Sequence, residues 1–234
     1  MKINRVTITG ADNNVNPYDL WVMSGIHHFV EWGILFTGRK EGYKRYPNQE
    51  WIKLVCLIQG NLSAHFCGSW AKDVVEKQNF DLITNLNPKF KRVQLNYRFT
   101  SINSDEYLDM INNYCIEHPE RAIILQYNKG NKTALDSFIQ EEHAKNIHFL
   151  YDSSGGNGKV ISEIKEPFNT YTGYAGGLNP ENVEDVCKMI YANKNESEVW
   201  IDLESGARTN NEFDVQKVNN ILWQVGSIMD NATL

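Results

Sequence analysis

Cysteine is sparse in this sequence, and the few that occur have no paired spacing. The 234 residues hold four, at Cys56, Cys67, Cys115 and Cys187, with no C-x-x-C among them. Such spacing reads as reduced thiols, which argues against both a disulfide framework and a zinc knuckle. No His/Cys/Asp grouping has metal-ligand spacing either, so neither a metal nor another cofactor is expected. Apolar runs are short. None approaches the roughly 18 residues of a membrane span, and the opening MKINRVTITG enters a strand without the charged-then-apolar-then-small order of a signal peptide. A cytoplasmic protein with no membrane partner is expected. Linkers, low-complexity segments and charge blocks are also missing, which points to one domain over residues 1–234. The first glycine turn, Gly10-Ala11-Asp12, is not a G-x-G-x-x-G, so an open dinucleotide-binding sheet is disfavoured. A formal net charge of −6 argues against a long nucleic-acid polymer as partner, leaving one basic loop to explain. Nothing in the sequence sets the oligomeric state.

What the chain does contain is a regular alternation. Apolar or alternating stretches at 4–9, 29–36, 62–66, 92–96, 121–127, 147–152, 171–175 and 199–203 read as strands. Between most of them lie helical patterns, and the last helix, over 214–229, carries Val218, Ile221, Leu222, Val225 and Met229 on one stripe. The segment 29–36, FVEWGILF, is nearly continuous in apolar character, as expected for a parallel strand buried on both faces. Glu31 within it is either salt-bridged in the interior or directed into a polar barrel mouth. Because parallel crossovers are right-handed, eight such units close most simply as an α/β fold of the (β/α)8 TIM barrel type.

The most informative stretch is 171–208. A strand ends at Gly176-Gly177, Asn179-Pro180 reads as a helix cap followed by proline at the first helical position, and a second strand ends at Ser205-Gly206. Glycine turns and helix N-termini present backbone N–H groups to anions. In an eight-stranded barrel the loops after strands seven and eight commonly form the phosphate site, so Gly176, Gly177, Ser205 and Gly206 are the candidates.

Polar residues at strand ends supply the chemical candidates, since that rim is the active face of a barrel. Asp152 ends an apolar strand and precedes a glycine loop, an environment suited to a general acid; an Asx turn over Ser153-Ser154 is the bland alternative. His65 and Cys67 are placed on one side of a strand end, where a thiol beside an imidazole serves as base or nucleophile, or where the cysteine is simply buried structure. Arg39, Lys40, Lys44 and Arg45 form a basic loop that either clamps an anion, Arg45 by a bidentate contact, or is merely solvated.

These residues together resemble the phosphoribosylanthranilate isomerases. The resemblance rests on GGLNPENV at 176–183, a following strand ending D-x-x-SG at 202–206, Tyr151-Asp152 with GGNGK at 155–159, and V-Q-L at 93–95. It implies that Asp152 is the general acid, that Gly156 belongs to the loop after strand six, and that Asp202 with the two glycine turns contacts the substrate and its phosphate. Lys44-Arg45-Tyr46 resembles the family's substrate-contacting arginine loop. Strand one departs from the pattern. The family's K-I-C-G supplies the general base as a cysteine, whereas this chain reads Thr7-Ile8-Thr9-Gly10. A threonine hydroxyl titrates far too high for that role near neutrality. Asp12, Cys67 and Glu31 are the candidate replacements. The resemblance therefore implies an isomerase-like enzyme acting on a phosphorylated sugar or ribosyl metabolite. The alternative is a non-catalytic phosphometabolite- or nucleotide-binding protein that retains the barrel phosphate site.

Overall fold

Eight parallel strands close on one another in chain order, each hydrogen-bonded to its sequence neighbour and β8 back to β1. The computed structural model describes residues 1–100, 102–153 and 160–231. The strands are β1 (Lys2–Thr9), β2 (Val30–Phe36), β3 (Asn61–Phe66), β4 (Phe90–Leu95), β5 (Ala122–Tyr127), β6 (Ile147–Asp152), β7 (Thr172–Ala175) and β8 (Glu198–Leu203). The helices outside them are α1 (Pro17–Ile26), α2 (Gln49–Val55), α3 (Ser69–Lys77), α4 (Asp81–Thr84), α5 (Ser104–Glu117), α6 (Lys132–Gln140), α7 (Val183–Ala192) and α8 (Val215–Asn231). Among the described residues no helix lies between β6 and β7, so the alternation is incomplete there. The fold is a (β/α)8 barrel.

Several helix starts follow from their capping residues. Asn16 accepts the Tyr18 N–H ahead of Pro17, and Asn48 accepts the Trp51 N–H. The expected start at Asn179-Pro180 is corrected: α7 begins three residues after Pro180, at Val183. The asparagines are spent on the loop instead. Asn182 accepts the Asn179 N–H at 2.9 Å and donates to the Gly177 carbonyl at 2.9 Å, which ties the loop after β7 into a compact turn before the helix can begin.

Two cores result from the alternation of side chains along each strand. The larger lies between barrel and helices and includes Trp32, Phe66, Phe149 and the α8 stripe of Val218, Ile221, Leu222 and Val225. The smaller, made of Ile124, Leu150 and Trp200 with Tyr171 and Ala175 against it, includes no helix residue and fills the barrel itself. Size is matched across this interior. A Cβ at Gly173 would lie 2.2 Å from the Trp200 ring, so the indole occupies the space that the glycine leaves.

The rest of the interior is polar. Thr7, Glu31, Ser63, His65, Arg92, Gln94 and Asp202 are all buried. Glu31 accepts from Thr7 at 3.0 Å, pairs with Arg5 at 3.0 Å and lies 3.6 Å from Arg92, whose guanidinium stacks over the Trp200 ring at 4.1 Å. Of the two readings of Glu31, the salt-bridged interior group is the one observed. Its chemistry is absorbed by cations from β1 and β4.

Candidate active site

At the C-terminal ends of the strands lies a cavity of about 130 Å³ that gathers groups from seven strands. Thr9 comes from β1, His65 from β3, Gln94 from β4, Gln126 from β5, Asp152 from β6, Ala175 from β7 and Asp202 from β8, while Gly176, Gly177, Leu178, Glu204 and Ser205 come from the loops after β7 and β8. Alternation puts these side chains on the inner face of the barrel. Register aligns three of them: Asp152 pairs with Ala175, and Ala175 with Asp202. The two carboxylates thus flank a small alanine, two strand spacings apart, or roughly 9–10 Å between backbones.

The two glycine turns lie against each other at this rim. Gly176 and Gly177 have φ of +135° and +56°, which most side chains resist. Gly206 is buried behind the cavity wall, where its Cβ position is only 1.7 Å from the Leu178 carbonyl oxygen. Only glycine permits that approach, and it presses the loop after β8 onto the loop after β7. Gly156 lies outside the described residues.

Arg45 also lines the cavity, whereas Arg39, Lys40 and Lys44 of the same basic loop do not. Lys44 pairs with exposed Glu212 and Lys40 stacks over Tyr46. Arg45 takes a left-handed φ of +76°, a strained state for a long side chain. Asp12 holds it there, accepting the Arg45 N–H at 2.7 Å and the Asn14 N–H at 3.1 Å, with Arg208 at 3.6 Å. The Arg45 guanidinium then reaches Glu204 at 2.6 Å and Asn211 at 2.8 Å. Asp12 is therefore engaged in shaping the arginine loop and does not line the cavity. Arg208 has no counterpart in the sequence reading. Buried, it donates to the Gly10 and Asn211 carbonyls and so joins the loops after β1 and β8. Its position after a glycine turn gave no local sign of this.

Cys67 is likewise displaced from the expected role. Its side chain does not line the cavity, accepts a hydrogen bond from Asn96 at 3.0 Å, and is pushed up to about 11 by burial, which the Asn96 bond only partly offsets. A thiol in that state is neither a ready base nor a nucleophile near neutrality. His65 does face the cavity. Burial, and then the nearby Arg92 cation, pull it down to about 3, so the imidazole is neutral. Asp202 shifts the other way. Burial raises its carboxyl well above the usual carboxylate range; Arg92 opposes this, Glu31 and Glu204 add to it, and a 3.4 Å hydrogen bond from Thr9 opposes it. Asp202 Oδ2, His65 Nε2 and Gln94 Oε1 are buried with no hydrogen-bond partner among the described residues. Three such atoms around one cavity mark it as a place for a polar ligand.

Comparison with known proteins agrees with this geometry. Residues 109–224 match the sequence family described as N-(5′-phosphoribosyl)anthranilate (PRA) isomerase. Over that stretch the chain is similar to the phosphoribosylanthranilate isomerases. Its barrel superposes on the phosphoribosylanthranilate isomerase of Thermus thermophilus with a TM-score of 0.60 at 15% identity, covering 96% of this chain and 99% of that one. The Pyrococcus furiosus isomerase gives 0.56 at 14% identity, covering 95% and 98%. A truncated 3-deoxy-D-arabino-heptulosonate 7-phosphate synthase from Thermotoga maritima gives 0.56 at 7%, covering 98% and 88%, so at this distance likeness of structure speaks for the fold alone. No curated protein sequence matches the chain. Among the described residues of this isomerase-like chain, no three His, Cys, Asp or Glu side chains are grouped to hold a metal ion, and no helix is long and apolar enough to cross a membrane.

Proposed function

We propose that this single-domain barrel is an isomerase acting on a phosphorylated ribosyl compound by an acid/base step. The observation that carries the reading is the meeting of Asp152 with the loops after β7 and β8 in one cavity. In the proposed arrangement Gly176, Gly177 and Ser205 seat the phosphate, where backbone donors favour an anion, and Gly206 behind them holds the two loops together. Asp152 is the general acid, which protonates the ring oxygen of the ribosyl group and opens it. Arg45, already held over the cavity by Asp12, takes the distal anionic part of the substrate by a fork-shaped contact. It exchanges Glu204 for the ligand as it does so.

Complementation of a tryptophan auxotroph that lacks phosphoribosylanthranilate isomerase tests the narrowest form of this reading. Growth supports the tryptophan-pathway reaction; failure to grow, with the protein expressed and folded, removes it. A thermal-shift series against phosphate, ribose 5-phosphate, phosphorylated ribosylamines and mononucleotides tests the broader form. A stabilisation that disappears with Gly177→Val supports the phosphate seat.

A second reading is favoured by Thr9, which stands where the family has its cysteine base. On that reading the protein binds a phosphometabolite or nucleotide and leaves it unchanged. Ligand at a hundredfold excess over Kd would then stabilise the fold by about 2.7 kcal/mol with no product formed. Recovery of a converted product excludes it.

A further inference from the structure

We infer that the Asp202 carboxylate is the general base of this site and that the Thr9 hydroxyl positions it. The inference rests on the isomerase reading above, which requires a group to take the C2′ proton. Position removes the other candidates. Asp12 is bound to the Arg45 loop, Cys67 does not line the cavity and is held by Asn96, and Glu31 is buried among Thr7, Arg5 and Arg92 deeper in the barrel. Asp202 lines the cavity, is 8% exposed, and retains a second oxygen with no partner among the described residues.

Thr9 gives the carboxylate its orientation. Its hydroxyl lies 3.4 Å from Asp202 Oδ1, which leaves Oδ2 as the oxygen able to accept a proton. Room for that hydroxyl comes from Gly33 on the neighbouring strand, where a Cβ would lie 2.2 Å from Thr9 Oγ1 and 3.0 Å from the His65 ring. The threonine at the family's base position is thus not an isolated loss. It faces a carboxylate from β8 across a gap that glycine keeps open.

The electrostatics fit the assignment. The groups facing Asp202 are Thr9 from β1, Glu31 from β2, Arg92 from β4 and Glu204 after β8, with neutral His65 from β3 on the same cavity. Burial outweighs the Arg92 cation, so the ionised carboxylate binds a proton more tightly than an exposed one would. The competing imidazole, held neutral down to about pH 3, is the weaker acceptor.

The step balances within the substrate. Asp152 gives its proton to the ring oxygen as the C1′–O bond breaks and the amine lone pair forms C1′=N⁺. Asp202 then takes the C2′ proton; the C–H electron pair becomes C1′=C2′, and the C1′=N⁺ π pair returns to nitrogen. Tautomerisation of that enol to the ketone moves its hydroxyl proton away and places a proton on C1′. C1′ is reduced and C2′ oxidised, with no outside oxidant. In-register placement of Asp152 and Asp202 on either side of Ala175 puts acid and base on the two flanks of one ligand.

The test uses N-(5′-phosphoribosyl)anthranilate as the probe, following product formation across pH and thermal stabilisation by the probe. Expected for Asp202→Asn is a loss of about 10²–10⁴-fold in kcat with probe stabilisation kept. Thr9→Val is expected to stay active, with the acid limb of kcat/KM displaced to higher pH, because the lost hydrogen bond no longer favours the carboxylate. Full activity in Asp202→Asn, or loss of probe binding together with activity, overturns the base assignment while leaving the isomerase reading in place. No product from the wild-type protein, despite stabilisation by the probe, overturns the isomerase reading for this substrate class and the base with it. Should Asp202→Asn fail to fold, the Thr9→Val profile decides: an unmoved acid limb overturns the assignment.

Discussion

Replacing Gly206 with alanine is expected to damage stability and phosphate binding together, because one close approach serves both. The added Cβ would sit 1.7 Å from the Leu178 carbonyl oxygen and 3.0 Å from Asn179 Cα, contacts made with backbone that cannot rotate aside. The loops after β7 and β8 must part by more than an ångström. Forcing atoms into a packed site typically costs about 1–3 kcal/mol. At this chain length that lowers Tm by roughly 2–4 °C per kcal/mol. Gly25 is the matched control. It lies in α1 with nothing within 4 Å of its Cβ position, so alanine there removes the helix penalty of glycine and stabilises by about 1 kcal/mol. Urea unfolding of the two variants measures both signs, and thermal shift with inorganic phosphate or ribose 5-phosphate reads the seat. Unchanged unfolding of Gly206→Ala, with phosphate stabilisation intact, would refute both the tight loop contact and its role in shaping the site.

Two further outcomes concern the polar interior. Glu31→Gln removes the carboxylate nearest the buried Arg92 guanidinium, and unpairing a buried charge costs about 3–5 kcal/mol. Glu31→Gln with Arg92→Met should recover much of that loss, and simple additivity in a double-mutant cycle would show that the pair is not coupled. His65 and His148 are both pulled down to about 3 by burial and by Arg92, against 6.5 for the free side chain. The unfolded chain therefore binds more protons than the folded one between about pH 3 and 6.5, and their contribution to stability is complete above that window and declines as pH falls through it. A His65→Asn variant should lose less stability than the wild type between pH 6.5 and 4; an identical slope of unfolding free energy against pH would count against a buried neutral imidazole.

Much of the fold was legible because its signal is local. Runs such as FVEWGILF and IHFLYD announce buried parallel strands by composition alone, and the strand bounds observed differ from those expected by at most two residues at either end. The paired glycine turns at 176–177 and 205–206 and the strand-end Asp152 were readable for the same reason, since a turn and a strand terminus are short-range features. The start of α7 was not, because Asn179 and Asn182 are spent on a loop whose partner is the Gly177 carbonyl.

Roles within the site depended on distance across the barrel. Asp12 and Cys67 are residue types able to act as bases, but the Arg45 backbone engages the first and burial beside Asn96 raises the second. Asp202 and Thr9 lie 193 positions apart and meet because β8 closes against β1. Sequence by itself determined the barrel, the strand that ends at Asp152 and the glycine-rich loops, since hydrophobic period and turn chemistry act between near neighbours. Only the tertiary structure decided which carboxylate is buried, which is engaged and which faces the cavity, because desolvation and hydrogen bonding are set by groups that closure of the barrel brings together.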